Sequence, residues 1–303
     1  MDDHRSPTAP ARADAGESSR RPTSRRALLG CGAAALASLA GCAGDPNVVM
    51  GKRDESSSTF DLADGSLRID ADYGQFRVRP ADDDAVHVRV EKSGSLLSSL
   101  ASVDVSARRE GDAVVVESTA DGLDFVGVVD GPDVTVDVDI PSGVGVATAT
   151  VEAGGVLLED VRVHADGEIH AENGGAVARR VEGDLAISTG NGGAVAEDVA
   201  GFVTARSRNG AAAVYGCDGI DGASTSNGGI EADVTALRGD TELSTVNGGV
   251  ASTENGGVDV TDASLSDATV SDSYVEGTIG EGTHTLRVEA ANGGVTLSGP
   301  TEW

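Results

Sequence analysis

The sequence predicts an all-β chain: a β-solenoid, or parallel β-helix-like stack, of 18-residue Asn-Gly-Gly coils. Three observations predict it. Asn-Gly pairs recur at Asn173, Asn191, Asn209 and Asn227, each 18 residues after the last. Short apolar runs alternate with polar residues at period 2 between glycines, which marks strands with one buried face. No stretch after residue 41 carries helical periodicity.

A unit of 18 residues cannot bury its apolar face alone, and stacking the units solves that problem. The unit reads the same way from copy to copy. After the glycines come Val156/Leu158, Ala176/Ala178, Ala194/Ala196, Ile230/Ala232, Val258/Val260 and Val295/Leu297. A second apolar position follows at Val181, Val199 and Cys217, with a glycine two residues on at Gly183, Gly201 and Gly219. A further strand closes the unit at Leu185/Ile187/Thr189, Val203/Ala205/Ser207 and Leu243/Thr245. Upstream, Ala153-Gly154-Gly155 reads as a degenerate first copy. Downstream the series continues at Asn247, Asn255 and Asn292 after gaps of 20, 8 and 37, the last close to two periods.

The seven asparagines are expected at coil corners, where left-handed backbone favours glycine and tolerates asparagine. Their side chains, one coil apart, are expected to hydrogen-bond as a ladder. A ligand-binding stripe is the alternative role for the same row.

Ahead of the repeat, residues 1–41 read as an export signal. Arg20, Arg21, Arg25 and Arg26 precede a largely apolar stretch from Ala27 to Ala40. Its 14 residues fall short of the ~20 that span a bilayer. A basic region before a short apolar one is a secretion signal, and Arg25-Arg26 in Ser24–Leu29 resembles a twin-arginine signal. Leu39-Ala40-Gly41-Cys42 is similar to a lipoprotein box, which makes Cys42 the lipidated first residue of the mature chain. Stable anchoring takes two acyl chains. Residues 42–58, polar and small, read as a flexible tether.

Residues 59–141 read as an N-terminal β-strand region and 142–303 as the repeat region. In the former, Leu67/Ile69, Phe76/Val78, Val86/Val88/Val90, Val103/Val105 and Val114–Val116 precede the alternating run Asp133–Ile140, which Pro141 stops. The order is strand, Tyr73-Gly74 turn, strand, acidic turn at Asp82–Asp84, strand, a strand ending Ile140-Pro141-Ser142-Gly143, then Asn-Gly-Gly coils. This order resembles the DUF4097 family of adhesin-like β-strand-repeat proteins over residues 59–299. The resemblance implies a β-solenoid or sheet stack at the cell surface, and it brings no catalytic residues. The acidic surface, the irregular spacing after Asn247 and Cys217 in place of Val depart from the pattern.

Composition narrows the partners. The chain has 50 acids against 22 Lys and Arg, a net charge of −28. Residues 1–41 hold 4 of the acids and 6 of the arginines, so the mature chain keeps 46 and 16 and carries −30. Such a surface repels nucleic acid. Only two lysines, Lys52 and Lys92, accompany 20 arginines. With twin-arginine export, this composition resembles that of proteins from extreme halophiles. Cys31 leaves with the signal and Cys42 takes lipid. Cys217 alone remains, so no internal disulfide is available.

The search for chemistry returns little. His164, Asp166, Glu168 and His170 alternate and form the best metal candidate, but Gly167 turns the chain between them, and no metal or cofactor is expected. There is no G-x-S-x-G, P-loop or H-E-x-x-H. Cys217 aligns with Val181 and Val199 and is expected in the core. Trp303 is a candidate end cap. The leading expectation is a non-enzymatic surface lipoprotein. It would be held to the membrane through Cys42 and would present an adhesin-like rod to an envelope polysaccharide or protein. A polysaccharide-active β-helix enzyme and an envelope-stress signalling module are the alternatives.

Overall fold

The computed structural model describes residues 51–298, apart from 96–97, 121–130, 234, 248–256, 262–264, 272 and 280–282. Among the described residues it is all-β, with 21 strands in one hydrogen-bonded sheet and a single 3-10 turn at Leu100–Ser102. No helix among them is long and apolar enough to cross a membrane.

The sheet resolves into two ladders joined by the chain at every rung. The first takes β5 (Ala113–Ala120), the front half of β2 (Asp64–Pro80), the front half of β7 (Gly143–Glu159) and β8 (Arg162–Asn173). It continues through β10 (Leu185–Asn191), β12 (Phe202–Asn209), β14 (Gly219–Asn227), β16 (Thr241–Asn247) and β20 (His284–Asn292), all parallel. The second takes β6 (Asp133–Ile140), the rear halves of β2 and β7, then β9 (Ala176–Arg179), β11 (Ala194–Glu197) and β13 (Ala212–Tyr215). β15 (Ile230–Asp233), β17 (Gly257–Thr261) and β21 (Gly294–Ser298) complete it, also parallel. In the central rungs the partners stand 18 residues apart, as in Leu185↔Val203 and Ala194↔Ala212.

Between the ladders lies a core of small and branched side chains. Ile169, Ile187, Ala205 and Leu243 enter it from the first ladder. Leu158, Ala178, Ala196, Val214 and Ala232 enter it from the second. Val181, Val199 and Cys217 close the third side, where Ala200 N donates to Val181 O at 2.8 Å and Asp218 N to Val199 O at 3.0 Å. Full burial of each Leu or Ile contributes about 1.5–3 kcal/mol, and repetition supplies the total that few aromatics cannot.

The described strands bear on three points of the sequence reading. Residues 52–58 are not tether. They begin β1 (Lys52–Asp61), which pairs antiparallel with β3 (Ala85–Gly94) from Lys52↔Gly94 to Asp61↔Ala85. Apart from half-buried Phe60, β1 is exposed throughout; charged, polar edge strands of this kind look like linkers in sequence because neither face is apolar. The remainder of the expected tether, 42–50, lies outside the described residues.

Hydrogen bonding also runs across the 141/142 boundary. β2 pairs with β7 from Asp64↔Gly143 to Val78↔Leu158, so the N-terminal strands are the first rungs of the same stack. β3 and β4 (Val103–Glu110) flank these rungs antiparallel.

The gap of 37 residues before Asn292 is not two further coils. β18 (Leu265–Ser271) and β19 (Tyr274–Ile279) form an antiparallel hairpin, and β19 continues antiparallel onto β20. The hairpin covers the last edge of the first ladder, which would otherwise present unpaired backbone groups.

Candidate binding surface

Each strand of the first ladder from β8 onward ends in asparagine, and the register stacks them directly. Asn173, Asn191, Asn209, Asn227, Asn247 and Asn292 pair rung on rung. Asn191 Nδ2 donates to Asn173 Oδ1 at 2.9 Å, Asn209 to Asn191 at 2.8 Å and Asn227 to Asn209 at 2.8 Å. Asn247 donates to Asn227 at 3.2 Å and Asn292 to Asn247 at 2.9 Å. At the base Asn173 Nδ2 donates to Glu152 O at 3.2 Å. All six side chains are exposed, and all the amide dipoles point the same way, so each bond polarises the next. Asn255 lies outside the described residues, and the ladder passes directly from Asn247 to Asn292.

The asparagines are not left-handed. They close extended strands, and the left-handed non-glycine residues among those described are Asp160, Asp166, Arg180 and Asp198, at φ of 50 to 65°. Asp160, Arg180 and Asp198, with Gly216 at φ 60°, form the corner after the second ladder. There Arg180 N donates to Glu197 O and Asp198 N to Tyr215 O, each at 2.9 Å.

Glycine follows asparagine for two reasons: Gly192 and Gly210 take φ of 158° and 154°, which L side chains rarely adopt, and the stacked backbones approach closely. A Cβ on Gly174 would overlap the carbonyl oxygen of Gly154, and one on Gly192 that of Gly174. Gly210 and Gly228 repeat the approach one rung further each time. Only glycine lets the backbones stack so closely.

A third row lies just inside. Thr189, Ser207, Thr225 and Thr245 are buried, two residues before Asn191, Asn209, Asn227 and Asn247. Thr189 and Ser207 both donate to Gly192 O at 2.9 Å, Thr225 to Gly210 O at 3.0 Å and Thr245 to Gly228 O at 2.9 Å. The glycine turn thus has its carbonyls satisfied from within the core. The recurring Ser/Thr-x-Asn-Gly was the available signal for this role.

Charge gathers on the other faces in Arg–acid pairs. Arg180 Nε donates to Asp160 at 2.6 Å and its Nη2 to Glu159 at 2.8 Å. Arg238 bridges Asp184 and Asp221 and lies over the Phe202 ring, 4.5 Å from its centroid. Asp184 also accepts from Phe202 N at 2.9 Å, and that bond, then Arg238, holds its carboxyl below the usual range. Arg79, Asp83, His87, Arg89, Asp139 and Asp160 line an open cleft of about 570 Å³. His87 Nε2 lies 2.8 Å from Asp83, and this bond, with one from Ala85 N, lowers the Asp83 pKa. Asp83 is therefore held ionised, which does not suit a general acid.

No family model matches the chain, and no curated protein matches it in sequence. Among solved structures it is similar to a provisionally named lipid binding protein from Parabacteroides distasonis, with a TM-score of 0.42 and 11% identity over 82% of this chain and 97% of that one. It is also similar to a provisionally named adhesin from Bacteroides fragilis, with a TM-score of 0.35 and 10% identity over 82% and 97% of the two chains. A provisionally named cell adhesion protein from Clostridium sporogenes gives a TM-score of 0.28 and 11% identity over 82% and 100%.

The remaining sequence candidates are dispersed. His164 Nε2 meets Gly65 O at 3.0 Å, while His170 Nδ1 meets Ser188 Oγ at 2.9 Å and its Nε2 lies 3.4 Å from Glu172. No group of three or more His, Cys, Asp or Glu among the described residues is placed to hold a metal ion. Cys217 is 3% exposed and its Sγ lies 3.3 Å from Tyr215 O. Burial pushes this thiol up to about 11. Arg25, Arg26, Cys42 and Trp303 lie outside the described residues.

Proposed function

We propose that the chain is a non-enzymatic, adhesin-like protein of the cell envelope. It is exported by the twin-arginine signal at Arg25-Arg26 and anchored by lipid at Cys42. The two ladders are the sides of a β-solenoid of the DUF4097 type, and its periodic, acidic outer surface meets an envelope polysaccharide or protein. One observation carries the reading: the ladders keep their register through consecutive rungs, so exposed groups such as the asparagine row repeat in a line. Extended, rigid, repeated surfaces suit binding along a polymer or a partner's face. At the cleft Asp83 is held ionised by His87 and Ala85 N, and Glu159 and Asp160 are paired with Arg180, which favours binding over hydrolysis.

The test is fractionation of the native protein against a Cys42→Ser variant, with mass spectrometry of the N-terminus. The expected result is a diacylated Cys42 in the membrane fraction and release of the variant into the medium. An unmodified N-terminus in the cytosol overturns the surface reading. Incubation of the purified mature chain with envelope polysaccharide then separates adhesion from catalysis. Co-sedimentation without release of reducing ends supports the adhesin, and new reducing ends overturn the non-enzymatic reading.

A further inference from the structure

Asn-Gly is the dipeptide most prone to spontaneous loss of the side-chain amide, because glycine leaves its own nitrogen unhindered. The backbone nitrogen of the glycine, deprotonated by hydroxide, attacks Cγ of the asparagine. The N–Cγ bond forms, the Cγ–Nδ2 bond breaks, and Nδ2 leaves as ammonia after taking up a proton. Water then opens the cyclic imide at either carbonyl, giving aspartate or isoaspartate. The reaction needs two things: a glycine nitrogen free of other bonds and an asparagine side chain free to swing onto it.

The stack withholds both at four sites. Gly174 N donates to Asn191 O, Gly192 N to Asn209 O and Gly210 N to Asn227 O, each at 3.0 Å, and Gly228 N donates to Asn247 O at 2.9 Å. The side chains of Asn173, Asn191, Asn209 and Asn227 each donate to the rung below and accept from the rung above. The nucleophile and the leaving group are therefore both held, and reaction requires a local opening of the stack.

The last rung differs. Asn292 Nδ2 donates to Asn247 Oδ1 and, at 3.1 Å, to Val246 O, but its own Oδ1 has no donor among the described residues. The β19 pairing ends at Tyr274↔Glu289, short of Asn292, and Gly293 N has no acceptor among the described residues. We propose that Asn292-Gly293 is a spontaneous deamidation site of the folded protein, and that the ladder holds Asn173, Asn191, Asn209 and Asn227 unreactive. Gly248, Asn255 and Gly256 lie outside the described residues, so the contrast is between Asn292 and those four. The product is a carboxylate that cannot donate to Asn247 or Val246, and its isoaspartyl form lengthens the backbone by a methylene. The modification thus loosens the stack from its C-terminal end.

The experiment ages the mature full-length chain in mildly alkaline buffer and maps its peptides by mass spectrometry, with enzymatic methylation to mark isoaspartate. A parallel sample ages in denaturant. The expected result is accumulation at Asn292 at least about tenfold faster than at Asn191, Asn209 or Asn227 in the folded protein, since protected sites react only from the opened population. In denaturant the rates converge. Equal rates in the folded protein overturn the proposal. So does a difference that persists in denaturant, because local sequence rather than the stack would then set it.

Discussion

Asn209 Nδ2 donates to Asn191 Oδ1 at 2.8 Å, although 18 residues separate them along the chain. The same side chain accepts from Asn227 at 2.8 Å. Asn209→Ala removes both bonds from an exposed ridge, and at about 0.5–1.5 kcal/mol net per bond the expected loss is about 1–3 kcal/mol. Asn209→Asp keeps the acceptor and loses the donor, setting a carboxylate against Asn191 Oδ1. Its ionised form is disfavoured in the folded chain, so its pKa is raised there. Protonation restores a donor, and the penalty relative to Asn209→Ala shrinks as pH falls from the raised folded value toward the unfolded value of about 4. Urea unfolding midpoints of both variants across that range check the prediction.

Gly192 and Gly193 are neighbours with opposite tolerances. A Cβ at 192 overlaps the Gly174 carbonyl oxygen, which is backbone and cannot swing aside. A Cβ at 193 meets nothing closer than Ala211 O at 3.8 Å, an ordinary contact. Gly192→Ala is expected to cost about 3 kcal/mol or more, as overpacking of a fixed backbone does, and Gly193→Ala less than about 1 kcal/mol. Thermal unfolding of the two variants side by side tests this. Equal stabilities would mean that the glycine column is not what sets the rung spacing.

These two cases show what the sequence made legible. The row Asn173 to Asn227 was readable because a parallel stack turns a constant spacing into a line of like residues. The glycines were readable for one of their two reasons: Gly154, Gly192 and Gly210 do take positive φ, of 142 to 158°, but the close approach of one backbone to the next also demands them, and the left-handed non-glycine corners fall to Asp160, Arg180 and Asp198. Asp160 and Asp198 stand in the same Glu-Asp-Val, but Arg180 between them interrupts that repeat. β1 was hidden because an exposed edge strand has no apolar face to alternate. The β18–β19 hairpin was hidden because 37 residues, close to two periods, passes for two coils. The row Thr189, Ser207, Thr225 and Thr245 was visible as part of a strand, but its bonds to glycine carbonyls depend on the turn that only coordinates show.

The excess of acids predicts a salt dependence. The full chain carries −28, and exposed pairs such as Arg180–Asp160 offset only part of it. Repulsion among the rest strains the compact state at low salt. The Debye length falls from about 10 Å at 0.1 M to about 3 Å at 1 M, which screens that repulsion along with the exposed pairs. Because unpaired acids outnumber pairs, the melting temperature is expected to rise over this range. A fall on adding sodium chloride would mean that the surface pairs contribute more than the net charge costs.

Cys217 provides the sharpest pH signature. It occupies the position of Val181 and Val199, with its thiol shut in the core and its pKa pushed up to about 11, chiefly by burial. In the unfolded chain the thiol ionises near 8.5. The folded form therefore holds a proton that the unfolded form releases, and stability is fully present below about pH 8.5 and lost as pH rises toward 11. Two consequences separate this from a surface thiol. Alkylation by iodoacetamide at pH 8 is expected to be more than about a hundredfold slower in the folded chain, from the thiolate fraction alone. Cys217→Val, which restores the residue of the two rungs below, is expected to leave neutral-pH stability within about 1.5 kcal/mol while removing this part of the alkaline loss. Fast labelling of the folded protein, or an unchanged alkaline slope in the valine variant, would place the thiol outside the core.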